Sequence, residues 1–286
     1  MPKPRNILSV QSEVVVGHVG NSAARFALQL LGCEAWCVPT VLLSSHAAHK
    51  GVAGEPISAA LVEKLLGALE VQGHLAECDG VLSGYLGSAE QAALVAGTVE
   101  RAKALRPGLL YCLDPAFGDD GRVYARPGVA EAMAQKLLPL ADIITPNVFE
   151  LSVLAQRPAG TVDEALAAAE ALARPIVVVT SVPESGRLGT LIVTGGEAWL
   201  ASAPSVENPP HGVGDLIAAL LFARLVAGTP AVTALDLATR TTYHVLSASA
   251  GAPEMNLIAE QQALLSPPTP AGYRLVRLDT RRRAFG

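Results

Sequence analysis

Three acid-bearing stretches of this chain have the residue types and spacing that phosphoryl transfer needs. In "HGVGD" (211–215) two glycines run into an acid just ahead of the apolar segment "LIAALLFARLVAG". Glycine lets backbone amides come close to a ligand, and the first N–H groups of a helix lack partners within it and favour a phosphate. The amides of Gly212, Val213 and Gly214 are therefore a candidate anion cradle, and Asp215 a candidate base. An aspartate placed there could take the proton of a hydroxyl as it attacks a γ-phosphoryl group, a contribution of ~10²–10⁴-fold in rate. The same aspartate also suits a plain cap on a buried helix. "DPAFGDDG" supplies Asp114, and "TPNVFE" supplies Asn147 and Glu150, three apart on one side of an incipient helix. A carbonyl and a carboxylate so spaced could serve one Mg²⁺, which takes oxygen ligands and keeps several waters. Asp114 could hold one of those waters. Read singly, Asn147 is a cap, Glu150 a first-turn acid favoured by the helix dipole, and Asp114, next to Pro115, a turn residue.

What must position these groups is an alternation of short apolar runs with Ala/Leu-rich stretches of helical period. Strands are expected at 6–10, within "EAWCVPTVLL", in "DGVLSGY", at 109–114 and in "ADIIT". Helices are expected at 21–31, 58–71, 88–105, 128–138, 215–227 and 231–249. Apolar strands of this continuity are covered on both faces. The fold class is therefore α/β, a three-layer α/β/α sandwich with a mostly parallel central sheet. "PIVVVTS", "LGTLIVT" and "EAWLASA", with the turn "TGGE", add an antiparallel hairpin at one edge, and "YRLVRL" (273–278) a last strand. No repeat or long linker divides the chain, so one domain is expected over 1–278, with a frayed basic tail at 279–286. In such sheets ligands sit beyond the carboxyl ends of the strands, where all three acid-bearing stretches fall.

Composition narrows the partners. Half of the 286 residues are hydrophobic, 16% are charged and the net charge is −5, which argues against nucleic acid or an anionic membrane surface. No uncharged apolar run reaches the roughly 18 residues of a membrane span. The four cysteines lack zinc-type pairing and are expected as small buried residues in a cytoplasmic protein.

In "ILSVQSEVVVGHVGNSAARFALQLLG", "LSGYLGSAEQ", "LDPAFGDDGRVY", "PLADIITPNVFELSVL" and "HGVGDLIAALL" the chain resembles the pyridoxal kinases, a branch of the ribokinase-like kinases, over about residues 5–280. The resemblance implies ATP-dependent phosphorylation of the 5′-hydroxymethyl group of a B6 vitamer, with Mg²⁺, a stimulating K⁺ and a homodimer. It places the catalytic base at Asp215, the anion hole at Gly212, Val213 and Gly214, and the phosphate and metal contacts at Asp114, Asn147 and Glu150, with Asp114 and Glu150 at the metal. It adds Thr180 and Ser181 at the nucleotide phosphates, Ser12, Val19, His46 and Tyr85 at the vitamer, and residues 118–124 as a flap. Two departures stand out. Glu13 replaces the histidine of the family's Q-S-H motif, and "SSHAAH" (44–49) replaces S-N-H-T-x-Y, so Ala47 lacks a hydroxyl worth about tenfold in affinity. They keep two alternatives open: a ribokinase-like kinase of another hydroxymethyl compound (hydroxymethylpyrimidine or a sugar), and a vitamer-binding protein without turnover. Elsewhere, His46 and His49 have no carboxylate near them in sequence, His211 is expected in solvent or beside the cradle, and Arg187 in solvent at a hairpin turn.

Overall fold

The computed structural model describes residues 3–279, so the tail expected at 279–286 lies, apart from Asp279, outside it. In chain order the strands are β1 (Arg5–Val14), β2 (Cys33–Leu43), β3 (Gly54–Pro56), β4 (Gly80–Ser83), β5 (Leu110–Leu113), β6 (Gly118–Asp119), β7 (Arg122–Val123), β8 (Ile143–Ile144), β9 (Ile176–Glu184), β10 (Arg187–Thr194), β11 (Glu197–Pro204) and β12 (Arg274–Leu278). Ten of them form one sheet in the order β12-β11-β10-β9-β8-β5-β4-β1-β2-β3, while β6 and β7 make a separate ribbon. Pairing is parallel from β2 through β1, β4, β5 and β8 to β9. It is antiparallel from β9 to β12 and between β2 and β3. The expected hairpin is thus part of a four-stranded antiparallel extension whose outermost strand is β12.

The main helices are α1 (Asn21–Leu30), α2 (Ala59–Val71), α3 (His74–Glu77), α4 (Ala89–Leu105), α5 (Val129–Ala132), α6 (Val148–Ala155), α7 (Val162–Ala171), α8 (Val213–Val226) and α9 (Ala231–Ala248). They cover both faces of the sheet. Ile7, Leu82, Cys112 and Ile143 pack toward α1, α8 and α9, while Leu8, Val81, Leu113 and Ile144 pack toward α2, α4 and α7. Side chains alternate across a strand, so a strand buried on both faces reads as unbroken apolar sequence. Every residue of α8 from Leu216 to Val226 is buried, as a helix apolar all round must be. Expectation and structure differ at 128–138. A single α-turn there passes into a π-turn (Met133–Leu137) and a 3₁₀ turn, where Pro139 offers no N–H to continue a helix.

Candidate active site

The carboxyl ends of β5, β8 and β9 and the start of α8 meet at one edge of the sheet. Asp114 follows β5. Its N–H donates to the Ser83 carbonyl at 2.8 Å, which extends the ladder to β4, and its carboxylate accepts the Thr145 hydroxyl at 3.0 Å. Asn147 follows β8 and caps α6 in a reciprocal box. Its Oδ1 accepts the Glu150 N–H at 2.9 Å, and Glu150 Oε2 accepts the Asn147 N–H at 3.0 Å. Glu150 Oε1 also accepts the Phe117 and Gly118 amides at 2.8 and 3.3 Å, while Asn147 Nδ2 donates to the Gly118 carbonyl at 2.8 Å. The expectation that Asn147 and Glu150 face an ion together meets a competing use of both side chains. The Asn147 side chain is spent on the cap and on the root of the β6–β7 ribbon, and Glu150 fastens the same root.

Asp215 is half-buried in the first turn of α8, and no side chain caps that helix; Gly212 is its N-cap, in the left-handed region at φ 90°. A Cβ on Gly212 would collide with the His18 carbonyl oxygen, so the loop after β1 lies directly on the cradle. That loop also supplies Gly20, whose backbone N–H is close enough to the Asp215 carboxylate to favour its charged form. Gly20 in turn is packed so tightly on Ser12 that a Cβ would strike its carbonyl and hydroxyl oxygens. Ser12, Gly20 and Asp215 thus form one contiguous line. Gly212→Ala should lower the thermal unfolding midpoint by several degrees, because a left-handed alanine costs roughly 1–2 kcal/mol before any collision. An unchanged midpoint in a thermal scan would mean the loop yields freely.

Asp114 feels the charges of the other two acids. Burial above all, then the charges of Asp215 and Glu150, hold the Asp114 carboxyl well above the usual range, against the Thr145 donor. Burial raises Asp215 to about 6, opposed by the Gly20 amide, and Glu150 to about 7, opposed by its backbone donors. Such crowding of half-neutralised acids in one recess is a mark of functional sites. Sequence reasoning gave Tyr124 a place only as the last residue of the flap at 118–124, with no contact of its own. Its ring lies 6.2 Å from that of Tyr85 with 25° between planes. Burial, with Glu150, Asp215 and Asp114 nearby, pushes its hydroxyl up.

The remaining expected residues fall around this centre. Thr180 lies beside Asn147 and donates its N–H to the Pro146 carbonyl at 2.9 Å. Ser181 is exposed, at a bulge of β9 with φ 58°. Val19 is buried in the loop after β1. Glu13 pairs with Arg25 of α1 at 3.1 Å. His46 stacks on His211, which is therefore neither isolated nor spent on solvent alone, and Glu254 lies 3.6 Å from His49 although no carboxylate is near it in sequence. Arg187 is not a solvated turn residue either. Its guanidinium binds the Ser202 and Gly272 carbonyls at 2.7 and 2.6 Å and locks β10 to β11. All four cysteines are free.

Comparison with known proteins gives three findings. The family model described as phosphomethylpyrimidine kinase matches residues 26–257. The pyridoxal kinase PdxY of Rubrobacter xylanophilus is 40% identical, over 92% of this chain and 94% of its own length. That of Deinococcus radiodurans is 42% identical, over 90% and 92%. Among solved structures, the pyridoxal kinase of Leishmania donovani in complex with ADP and pyridoxamine superposes with a TM-score of 0.89 at 28% identity, covering 96% of this chain and all of the other. That of Entamoeba histolytica gives 0.90 at 25% identity, with the same coverage.

Proposed function

The chain belongs to the phosphomethylpyrimidine kinase family and, within it, to the pyridoxal kinases, and from that membership we propose that it transfers the γ-phosphoryl group of ATP to the 5′-hydroxymethyl group of pyridoxal or a related B6 vitamer. The observation that carries the reading is the line Ser12–Gly20–Asp215. It sets a carboxylate of raised proton affinity at the mouth of a helix N-terminus, within the field of Asp114 and Glu150. We read residues 1–278 as one kinase domain, since the strands from Arg5 to Leu278 belong to one sheet apart from the β6–β7 ribbon.

Phosphoryl transfer asks the protein for positioning and charge neutralisation more than for covalent chemistry. Asp215 orients the hydroxyl and takes its proton. The amides of Gly212, Val213 and Gly214 receive the negative charge on the transferred group. Thr180 and Ser181 lie where the nucleotide phosphates would run past Asn147, and the β6–β7 ribbon covers them and excludes water. A divalent cation fits the crowd of acids. Asp114, through a water, and Glu150 would hold Mg²⁺, which supplies charge neutralisation at the phosphoryl oxygens. Among the described residues no three acid, histidine or cysteine side chains converge to hold a metal alone, so phosphate and water oxygens belong to the ligand set. A stimulating K⁺ is part of the same reading.

On the acceptor side Ser12, Val19, His46 and Tyr85 would receive the pyridine ring, with Tyr124 over Tyr85 as a second flat face. Glu13 is committed to Arg25, so the departure from the family's histidine puts no free carboxylate against the ring. Ala47 and the description of the matched family model keep hydroxymethylpyrimidine as the second reading. We further propose a cytoplasmic homodimer. Val15 and Val16, 75% and 61% exposed, extend the pairing of β1 by donating to the Leu43 and Ser44 carbonyls and offer an apolar surface that a second copy would cover. Among the described residues no helix is long and apolar enough to cross a membrane.

The test is ADP release with Mg-ATP against pyridoxal, pyridoxamine, pyridoxine, hydroxymethylpyrimidine and ribose across pH 5–9. A B6 vitamer should be preferred, and kcat should fall as pH drops through about 6, where Asp215 takes up the proton it must lack. Preference for hydroxymethylpyrimidine would replace the substrate. Nucleotide binding without turnover on any of the five would leave a binding protein.

A further inference from the structure

Outside the acid cluster, three histidines and a glutamate from three segments meet beside the cradle. The His46 and His211 rings stack with centroids 3.7 Å apart and 20° between planes. His49 lies edge-on to both, at 6.1 and 6.5 Å. Its Nδ1 is 3.6 Å from Glu254 Oε1, while Glu254 Oε2 accepts the His18 backbone N–H at 3.3 Å. The set is therefore tied to the loop whose Gly20 lies beside Asp215. In the sequence only His46 and His49 stand near each other, with His211 and Glu254 far from both.

The geometry also fixes the state of one ring. His46 Nδ1 accepts the Ala48 N–H at 3.3 Å. A ring nitrogen that accepts an N–H bears no proton, so the neutral imidazole donates from Nε2. Burial, helped by His211 and His49, holds the His46 pKa at about 4, so the ring is neutral at physiological pH. His46 is thus a donor of a single tautomer, adjacent in the chain to Ala47, where the resemblance leads one to look for a hydroxyl.

We propose that His211 is a positioning residue for vitamer recognition: its stacked ring holds His46 so that Nε2–H supplies the hydrogen bond to an acceptor on the pyridine ring that Ala47 cannot make. His211 immediately precedes Gly212, so the ring that sets the acceptor contact is anchored on the anion cradle itself. The proposal rests on the reading of the site as a vitamer kinase.

The test compares wild type, His211→Ala and His211→Phe in steady-state kinetics with pyridoxal and Mg-ATP, together with ¹⁵N–¹H correlation spectra of the histidine rings. In His211→Ala the KM for pyridoxal should rise about five- to tenfold, the value of one neutral hydrogen bond, with kcat and the KM for ATP within about twofold. The His46 signals should change from the pure Nε2–H tautomer to a mixture. Phenylalanine, which keeps the stack and loses the ring nitrogens, should restore both KM and tautomer. An unchanged pyridoxal KM in His211→Ala overturns the proposal, as does a rise in both KM values that phenylalanine leaves in place. Wild-type enzyme without turnover on pyridoxal defeats the activity itself, and the proposal falls with it.

Discussion

Asp215→Asn should lower kcat by about 10²–10⁴-fold, leave the affinity for ATP near wild type, and raise the unfolding midpoint at pH 8. The first effect follows from removing the group that takes the hydroxyl proton while keeping its shape. The third follows from the sign of its proton affinity. Burial raises the folded pKa of Asp215 to about 6, above the value near 4 of an unfolded aspartate. The stability linked to this group is therefore complete below about pH 4 and is lost as pH rises through about 6. At pH 8 the wild type carries that penalty and the amide does not. Discounted for the part of Asp215 still open to solvent, the gain is about 1–2 kcal/mol, or roughly 2–4 °C in a chain of this size. The gain should vanish near pH 4. Equal turnover in variant and wild type would mean that Asp215 is not the base. A lower midpoint at pH 8 would mean that its charge is better satisfied than its surroundings imply.

Glu150→Ala should be the most damaging change to stability at the site. Three backbone donors, the amides of Phe117, Gly118 and Asn147, lose their acceptor at once. Each buried donor left alone costs about 1–3 kcal/mol. Part is returned because Glu150 is itself a buried carboxyl whose pKa stands at about 7. A net loss of about 3 kcal/mol, or roughly 5–6 °C, is expected. The same change frees the root of the β6–β7 ribbon, so ATP hydrolysis without acceptor should rise relative to transfer. Deleting residues 119–121 separates the two roles. It should reproduce the hydrolytic leak while sparing most of the stability. A deletion that leaves both the leak and kcat untouched removes the ribbon from the mechanism.

Much of this arrangement was legible in the chain because it is written in local rules. Alternating layers, "HGVGD" before a helix apolar but for Arg224 and "TPNVFE" after a strand pointed to the sheet edge where the acids gather. Other features depend on contacts across the fold. That Glu150 serves the ribbon root rather than standing free requires Phe117 and Gly118 to arrive from another strand end. The stack of His46 on His211 requires two loops 165 residues apart to fold over one cradle. The role of Gly20 lies in a backbone N–H, which no side-chain motif announces. Helix α7 is different, for its signal was present. Thr161 and Glu164 form a capping box, and Ala165, Leu166, Ala168 and Ala169 make the buried stripe. Short β3 offered no such pattern in three residues.

A ten-stranded sheet also has two margins, and what borders them decides whether the protein remains dispersed at high concentration. Unpaired strand backbone templates addition of another chain, and charged residues, proline and very short strands blunt it. Here one margin is β3, only three residues long and closed by Pro56. The other is β12, "RLVRL", which carries Arg274 and Arg277, the latter in an ion pair with Glu197 at 2.7 Å. Replacing Arg274 and Arg277 with threonine would leave a smooth β-branched border along β11, and with it a surface suited to fibrous self-association.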